Sequence, residues 1–209
     1  DKKLYALRDT TATVESIPLI ASSIMSKKCA EGIEGLVLDV KMGTGAFMET
    51  EQKARELAST MIELGESFGV KTHVVFTDMN QPLGRLVGNG LEVEESILGL
   101  LGHGPDDLME VTHRLAASMF LLAGKVQSIT EGEELSKETI QNGDAWTMFL
   151  TLVEAQQGDP NQLKSWVQKW EADPTSHLYS PAKTHTVQSP ETGWLTHCDC
   201  KELGFIATE

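Results

Sequence analysis

Two apolar runs constrain the fold more than any other feature of the chain. EGLVLDVK, with Leu36, Val37, Leu38 and Val40, and KTHVVFT, starting at Lys71, are nearly continuous in apolar residues rather than alternating. That is the pattern of strands covered on both faces. Between them Ala54, Leu57, Ala58, Met61, Ile62 and Leu64 recur at helical spacing from Thr50 to Phe68, and Gly69 follows as a stop. Strand, helix, strand is a βαβ unit, so the strands are expected to be parallel with a right-handed crossover. The fold class is α/β: a parallel or mixed sheet covered by helices.

Both strands empty into loops at the same end. The first runs into the glycine-containing MGTGAFM, the second into DMNQPLGRLVGNGLEVEE, rich in Gly, Asn and Pro. Ligands in open α/β sheets collect at that end. Residues 16–31 carry helix punctuation: Ser16 as N-cap, Pro18 in the first turn, Lys27 and Lys28 in the last, Gly32 as the stop. A further helix is expected from about Pro105 to Leu122, with Leu108, Val111, Leu115 and Met119 on one side, and shorter helices between Ser136 and Trp170. From Lys183 the short alternating runs THTVQSPETGWLTHC and ELGFIATE, with a Pro-Glu-Thr-Gly turn, read as a β-rich C-terminal part.

At 209 residues and 40% hydrophobic content the chain can bury a sizeable core, as one large domain or a domain plus a fragment. A net charge of −14 without a basic block argues against nucleic-acid binding. No run approaches the roughly 18 apolar residues of a membrane helix, so no membrane partner and a cytoplasmic location are expected. Cys29, Cys198 and Cys200 are too few and too uneven for a disulfide framework. His197, Cys198 and Cys200 cluster, but their spacing matches no standard zinc pair. The chain opens on Asp1 in place of Met and reads as a piece of something longer.

On a helix, Ser16, Ile20, Ser23 and Lys27 share one stripe, while Ile17, Ala21, Ile24 and Met25 form an apolar one that can pack. The polar stripe suits a small planar ligand, with the ring against Ile20 and hydrogen bonds from Ser23 and Lys27. An ordinary solvated helix face has the same pattern. Arg8 beside Asp9 is equally open between a ligand clamp and a surface ion pair. Asp39 and Lys41, at the ligand-facing end of the first strand, are open between a local ion pair and substrate contact.

The string YALRDTTATVESIPLIASSIMSKK resembles, almost without a break, the signature of the thymidine and pyrimidine-nucleoside phosphorylase family. The similarity continues through LVLDVKMGTGAFM, TDMNQPLG, VGN, LEVEE and GHGPDDL and weakens after about residue 150. It implies that Arg8, Ser23 and Lys27 contact the polar edge of a pyrimidine, with Arg8 and Lys27 catalytic, and that Tyr5, Val14, Ile20 and Phe47 line the pocket. From the residues alone, Tyr5 and Phe47 fit core aromatics equally well. The implied reaction is phosphorolysis, with inorganic phosphate as co-substrate and no organic cofactor.

The resemblance further implies a small helical lobe taking residues 1–31, an α/β lobe taking 32–182, a C-terminal part from 183 to 209, and a homodimer formed through the helical lobe. In QPLGRLVGNGLEVEE it places a potassium site at Leu83, Leu86 and Glu95, where a solvated loop with a surface glutamate is the alternative. The family's phosphate loop, glycine-rich with lysine and serine, precedes the YALRD string; this sequence contains no such loop, so the 209-residue piece alone is expected to be inactive. A nucleoside-monophosphate phosphorylase and a non-catalytic nucleotide-binding scaffold are the alternative functions.

Overall fold

The computed structural model describes residues 2–179 and 183–208, apart from the side chains of Tyr5 and Thr208. The chain runs α1 (Lys2–Thr10), α2 (Ile17–Ala30), β1 (Gly35–Met42), α3 (Glu51–Ser67), β2 (Lys71–Asp78), α4 (Asn89–Leu100), α5 (Asp106–Leu122), α6 (Ile129–Gln141), α7 (Asp144–Ala155), α8 (Pro160–Ala172) and α9 (Cys200–Thr208).

The two apolar runs are the two strands. They pair in parallel over their full length, from Gly35 opposite Lys71 to Met42 opposite Asp78. α3 makes the crossover, started by the Thr50 hydroxyl, which accepts the Lys53 N–H at 3.4 Å. One face of the pair carries the main core: Val40 with Ala21 and Met25 of α2, Ala54, Leu57 and Met61 of α3, and Met48. Burying a side chain such as Met25 or Met61 contributes about 1.5–3 kcal/mol. The apolar stripe expected on α2 is the one that packs here, with Ile17 and Ile24 joining Ala21 and Met25.

Because side chains alternate along a strand, Asp39, Lys41, Val75 and Thr77 lie on the opposite face. α5 packs against both strands and is itself joined along its length to α6. A second core gathers Ile97 of α4, Trp166 and Val167 of α8, and Trp146 and Phe149 of α7. It anchors α4 beside the carboxyl ends of the strands, the end at which the cavity described below opens.

α1 lies within residues 1–31, the stretch the resemblance gives to a helical lobe, and is a helix although no periodicity marked it. Two elements differ from expectation. The long loop after β2 ends at Gly88, whose N–H is taken by the Glu92 carboxylate at 3.0 Å, and LEVEE is helical. The β-rich C-terminal part is not formed: among the described residues from 183 onward no strand occurs, and α9 follows. The physical reason is twofold. The candidate strand containing Trp194, 95% exposed, has no ladder partner to satisfy its backbone. The Asp199 carboxylate instead caps α9, accepting the N–H groups of Lys201 at 3.0 Å and Glu202 at 3.1 Å.

Candidate functional site

The turn between α1 and α2 is organised by Arg8. Its Nε donates to the Thr13 carbonyl at 3.5 Å, one terminal nitrogen to Leu19 O at 3.4 Å, and the other to Val14 O. In a helix the carbonyl of residue 19 faces the amide of residue 23. The guanidinium therefore sits against α2 within one turn of Ser23, and Lys27 lies one turn further along the same stripe. Ile20 occupies that stripe too and packs partly against the main core. Val14 enters through its carbonyl, as an acceptor for Arg8. The Tyr5 side chain lies outside the described residues.

Phe47 comes from a different element, the loop after β1. It is 57% exposed, so it is not a core aromatic, while its neighbours Ala46 and Met48 are buried. A short parallel bridge between Met42 and Met48 folds that loop back on the strand end.

Asp39 and Lys41 do form the local ion pair, at 2.7 Å. Thr77, opposite Lys41 on β2, closes it into a ring: Lys41 Nζ donates to Thr77 Oγ1 at 3.1 Å, and Thr77 Oγ1 donates to the second Asp39 oxygen. Lys41 also lines a cavity of about 370 Å³ beyond the strand ends, with Asp78, Leu83, Leu86, Glu95 and Cys200. Burial pushes the Cys200 thiol above its ordinary range, with Cys198 and Asp199 adding to the effect.

Glu95 is not a surface glutamate but a buried one, 6% exposed. Its carboxylate accepts the Arg85 N–H at 2.8 Å and abuts Gly84, where an added Cβ would lie 2.2 Å from Oε2. Gly84 also has a φ of +73° and donates its N–H to Asp107 at 3.0 Å. Glu95 is thus held against the backbone of Gly84 and Arg85, the two residues between Leu83 and Leu86. Among the described residues no three His, Cys, Asp or Glu side chains converge as a metal group.

Sequence reasoning missed Asn80 and Thr77. Asn80 accepts the Thr44 N–H at 3.0 Å through its side-chain oxygen, tying the Phe47 loop to the end of β2. An Asn two residues past a buried strand, after an Asp, is an Asx-turn signal, and Asn80 does donate its N–H to Asp78 at 3.2 Å.

Residues 1–146 match the family described as "Glycosyl transferase family, a/b domain". The chain is 44% identical over 207 residues to a pyrimidine-nucleoside phosphorylase of Bacillus subtilis, covering 99% of this chain and 46% of that protein. It is 57% identical over 159 residues to a thymidine phosphorylase of Mycobacterium tuberculosis, covering 76% of this chain and 36% of that one. A pyrimidine-nucleoside phosphorylase of Staphylococcus haemolyticus is 52% identical over 159 residues, with 76% and 37% covered. The chain spans less than half the length of these curated relatives. With a family match over most of its length, carried on an α/β framework, the chain belongs to the glycosyl transferase family that this a/b domain defines.

Proposed function

We propose that this chain supplies the base-binding half of a pyrimidine-nucleoside phosphorylase, a pentosyltransferase. The observation that carries the proposal is the Arg8 guanidinium at Leu19 O, one helical turn before Ser23, on a helix that also carries Lys27. The relatives' names support it.

In the reaction, inorganic phosphate attacks the anomeric carbon of the (deoxy)ribose. The carbon–nitrogen bond breaks and its electron pair leaves with the pyrimidine. Arg8 and Lys27 at the base carbonyls stabilise that developing charge more than they stabilise the bound nucleoside, which lowers the barrier. Ser23 hydrogen-bonds the polar edge, while Tyr5, Val14, Ile20 and Phe47 flank the ring. In the same proposal residues 1–31 belong to a helical lobe, and the exposed Leu4, Leu7 and Leu19 are its apolar surface for a homodimer. Leu83, Leu86 and Glu95 take a potassium ion as part of its shell; the hold of Glu95 against the Gly84 and Arg85 backbone supports this. A cytoplasmic setting accords with the three free cysteines.

The test is a calorimetric titration of the chain with thymidine, uridine and AMP. The proposal expects the two pyrimidine nucleosides to bind and Arg8→Ala to weaken them. Preference for AMP, or no nucleoside binding, refutes it.

A further inference from the structure

We propose that Asn80 is a positioning residue for the aromatic wall of the base site, setting where Phe47 stands; this rests on the phosphorylase reading above. Just past the paired strands, the two chain segments are stitched together. Met79 N–H donates to Met42 O at 2.7 Å, Gly45 N–H to Met79 O at 3.0 Å, and Thr44 N–H to the Asn80 side-chain oxygen at 3.0 Å. Within the loop, Gly43 N–H donates to Met48 O at 3.2 Å and Ala46 N–H to Gly43 O at 3.0 Å. In this set every bond is backbone to backbone except the one that Asn80 accepts.

Asn80 is itself oriented. Its side-chain N–H and its backbone N–H both donate to the same Asp78 oxygen, which leaves its carbonyl oxygen aimed at Thr44. The approach is close enough to dictate the residue opposite: Gly43 has a φ of +125°, and an added Cβ would lie 2.8 Å from the Asn80 oxygen. With Ala46 and Met48 buried on either side, the fixed backbone leaves the Phe47 ring directed outward. Phe47 therefore inherits its place from a side chain 33 residues later, 80 less 47. Loosening the Thr44 bond frees the ring before it meets a base, and the binding step must then order it.

The experiment uses the 209-residue chain, with two readouts: exchange of the Thr44 amide by NMR, and thymidine affinity by titration. Asn80→Ala is expected to speed Thr44 exchange and weaken thymidine, each by about tenfold, the scale of one hydrogen bond. Asn80→Asp keeps an acceptor for Thr44 but loses the N–H that bonds Asp78 and sets two carboxylates together, so it is expected to fall between the parent and Asn80→Ala in both. Asn80→Ser, too short to reach Thr44, replaces the alanine variant should that one not fold. Unchanged Thr44 exchange in Asn80→Ala overturns the proposal. So does unchanged thymidine affinity in that variant when Phe47→Ala weakens it. If the parent binds no thymidine, the base-site reading fails; if the parent binds it and Phe47→Ala binds it equally well, the wall role alone fails, whatever Thr44 shows.

Discussion

The carboxylate of Glu94, only 2% exposed, accepts a hydrogen bond from His177 Nδ1 at 2.8 Å and one from the Leu178 N–H at 2.7 Å. This joins α4 to the segment after α8, and it buries a charged group with a partner on each oxygen. Glu94→Ala leaves the Leu178 N–H without its acceptor and should cost about 1–3 kcal/mol. His177 is half exposed, so water replaces its bond, and His177→Ala should lower stability less. Urea unfolding of both variants checks the order; equal losses would contradict it.

The α5–α6 contact should respond to pH through His113. His113 Nδ1 bonds Ser136 Oγ at 2.8 Å, with Lys137, Glu133 and Glu134 facing the ring from α6. Burial, and then the Lys137 charge, hold the imidazole below its ordinary value of 6.5, against the opposing pull of Glu133 and Glu134. A depressed folded value means that the unfolded chain binds the proton more readily. The stability tied to neutral His113 is therefore complete above about pH 6.5 and is lost as the pH falls through the lower folded value. Melting temperatures from pH 7.5 down to about pH 5 should fall more steeply for the parent than for His113→Gln, and parallel curves would exclude the effect.

The βαβ unit and the core face of α2 were legible because their signal is a local period. LVLDV and HVVFT are nearly continuous in apolar residues, and Ile17, Ala21, Ile24 and Met25 recur as a helix requires. What stayed hidden depends on bonds between distant residues, such as Glu94 with His177 or Asn80 with Thr44, which leave no period to read. The C-terminal segment failed differently. ELGFI alternates enough to pass for a strand, but Asp199 and Glu202 stand at capping-box spacing, and that local signal favours the helix. At the candidate site the polar and apolar stripes of α2 were legible as helix faces. The sequence did not show that Arg8 organises the turn through three carbonyls, since main-chain acceptors carry no residue code.

Gly132 lets α6 approach α5 closely. A Cβ there would lie 2.8 Å from the Cα and Cβ of Ala117 and 3.0 Å from its carbonyl oxygen. These are backbone and first-carbon atoms that no rotamer change can move, so Gly132→Ala must push the helices apart. The expected loss is about 1–3 kcal/mol, even though alanine is the better helix former. Thermal melts decide the sign: a stabilised variant would mean that helix propensity outweighs the contact.

Lys27→Ala tests the charge argument most directly. If the pyrimidine leaves as an anion, an ammonium at its carbonyl gains more from the transition state than from the bound nucleoside. Its removal from the complete enzyme should then lower kcat/KM at least about a hundredfold, in line with the 2.7–4 kcal/mol of one such donor. The drop should appear in kcat as well as in KM, because uniform binding alone would raise KM and leave kcat intact. Arg8→Ala should show a mixed effect, since the same guanidinium also holds Thr13, Val14 and Leu19 in the turn. Comparing its melting temperature with that of Lys27→Ala separates the two roles. Near-normal turnover by Lys27→Ala would mean that the negative charge of the departing base is met by some other group.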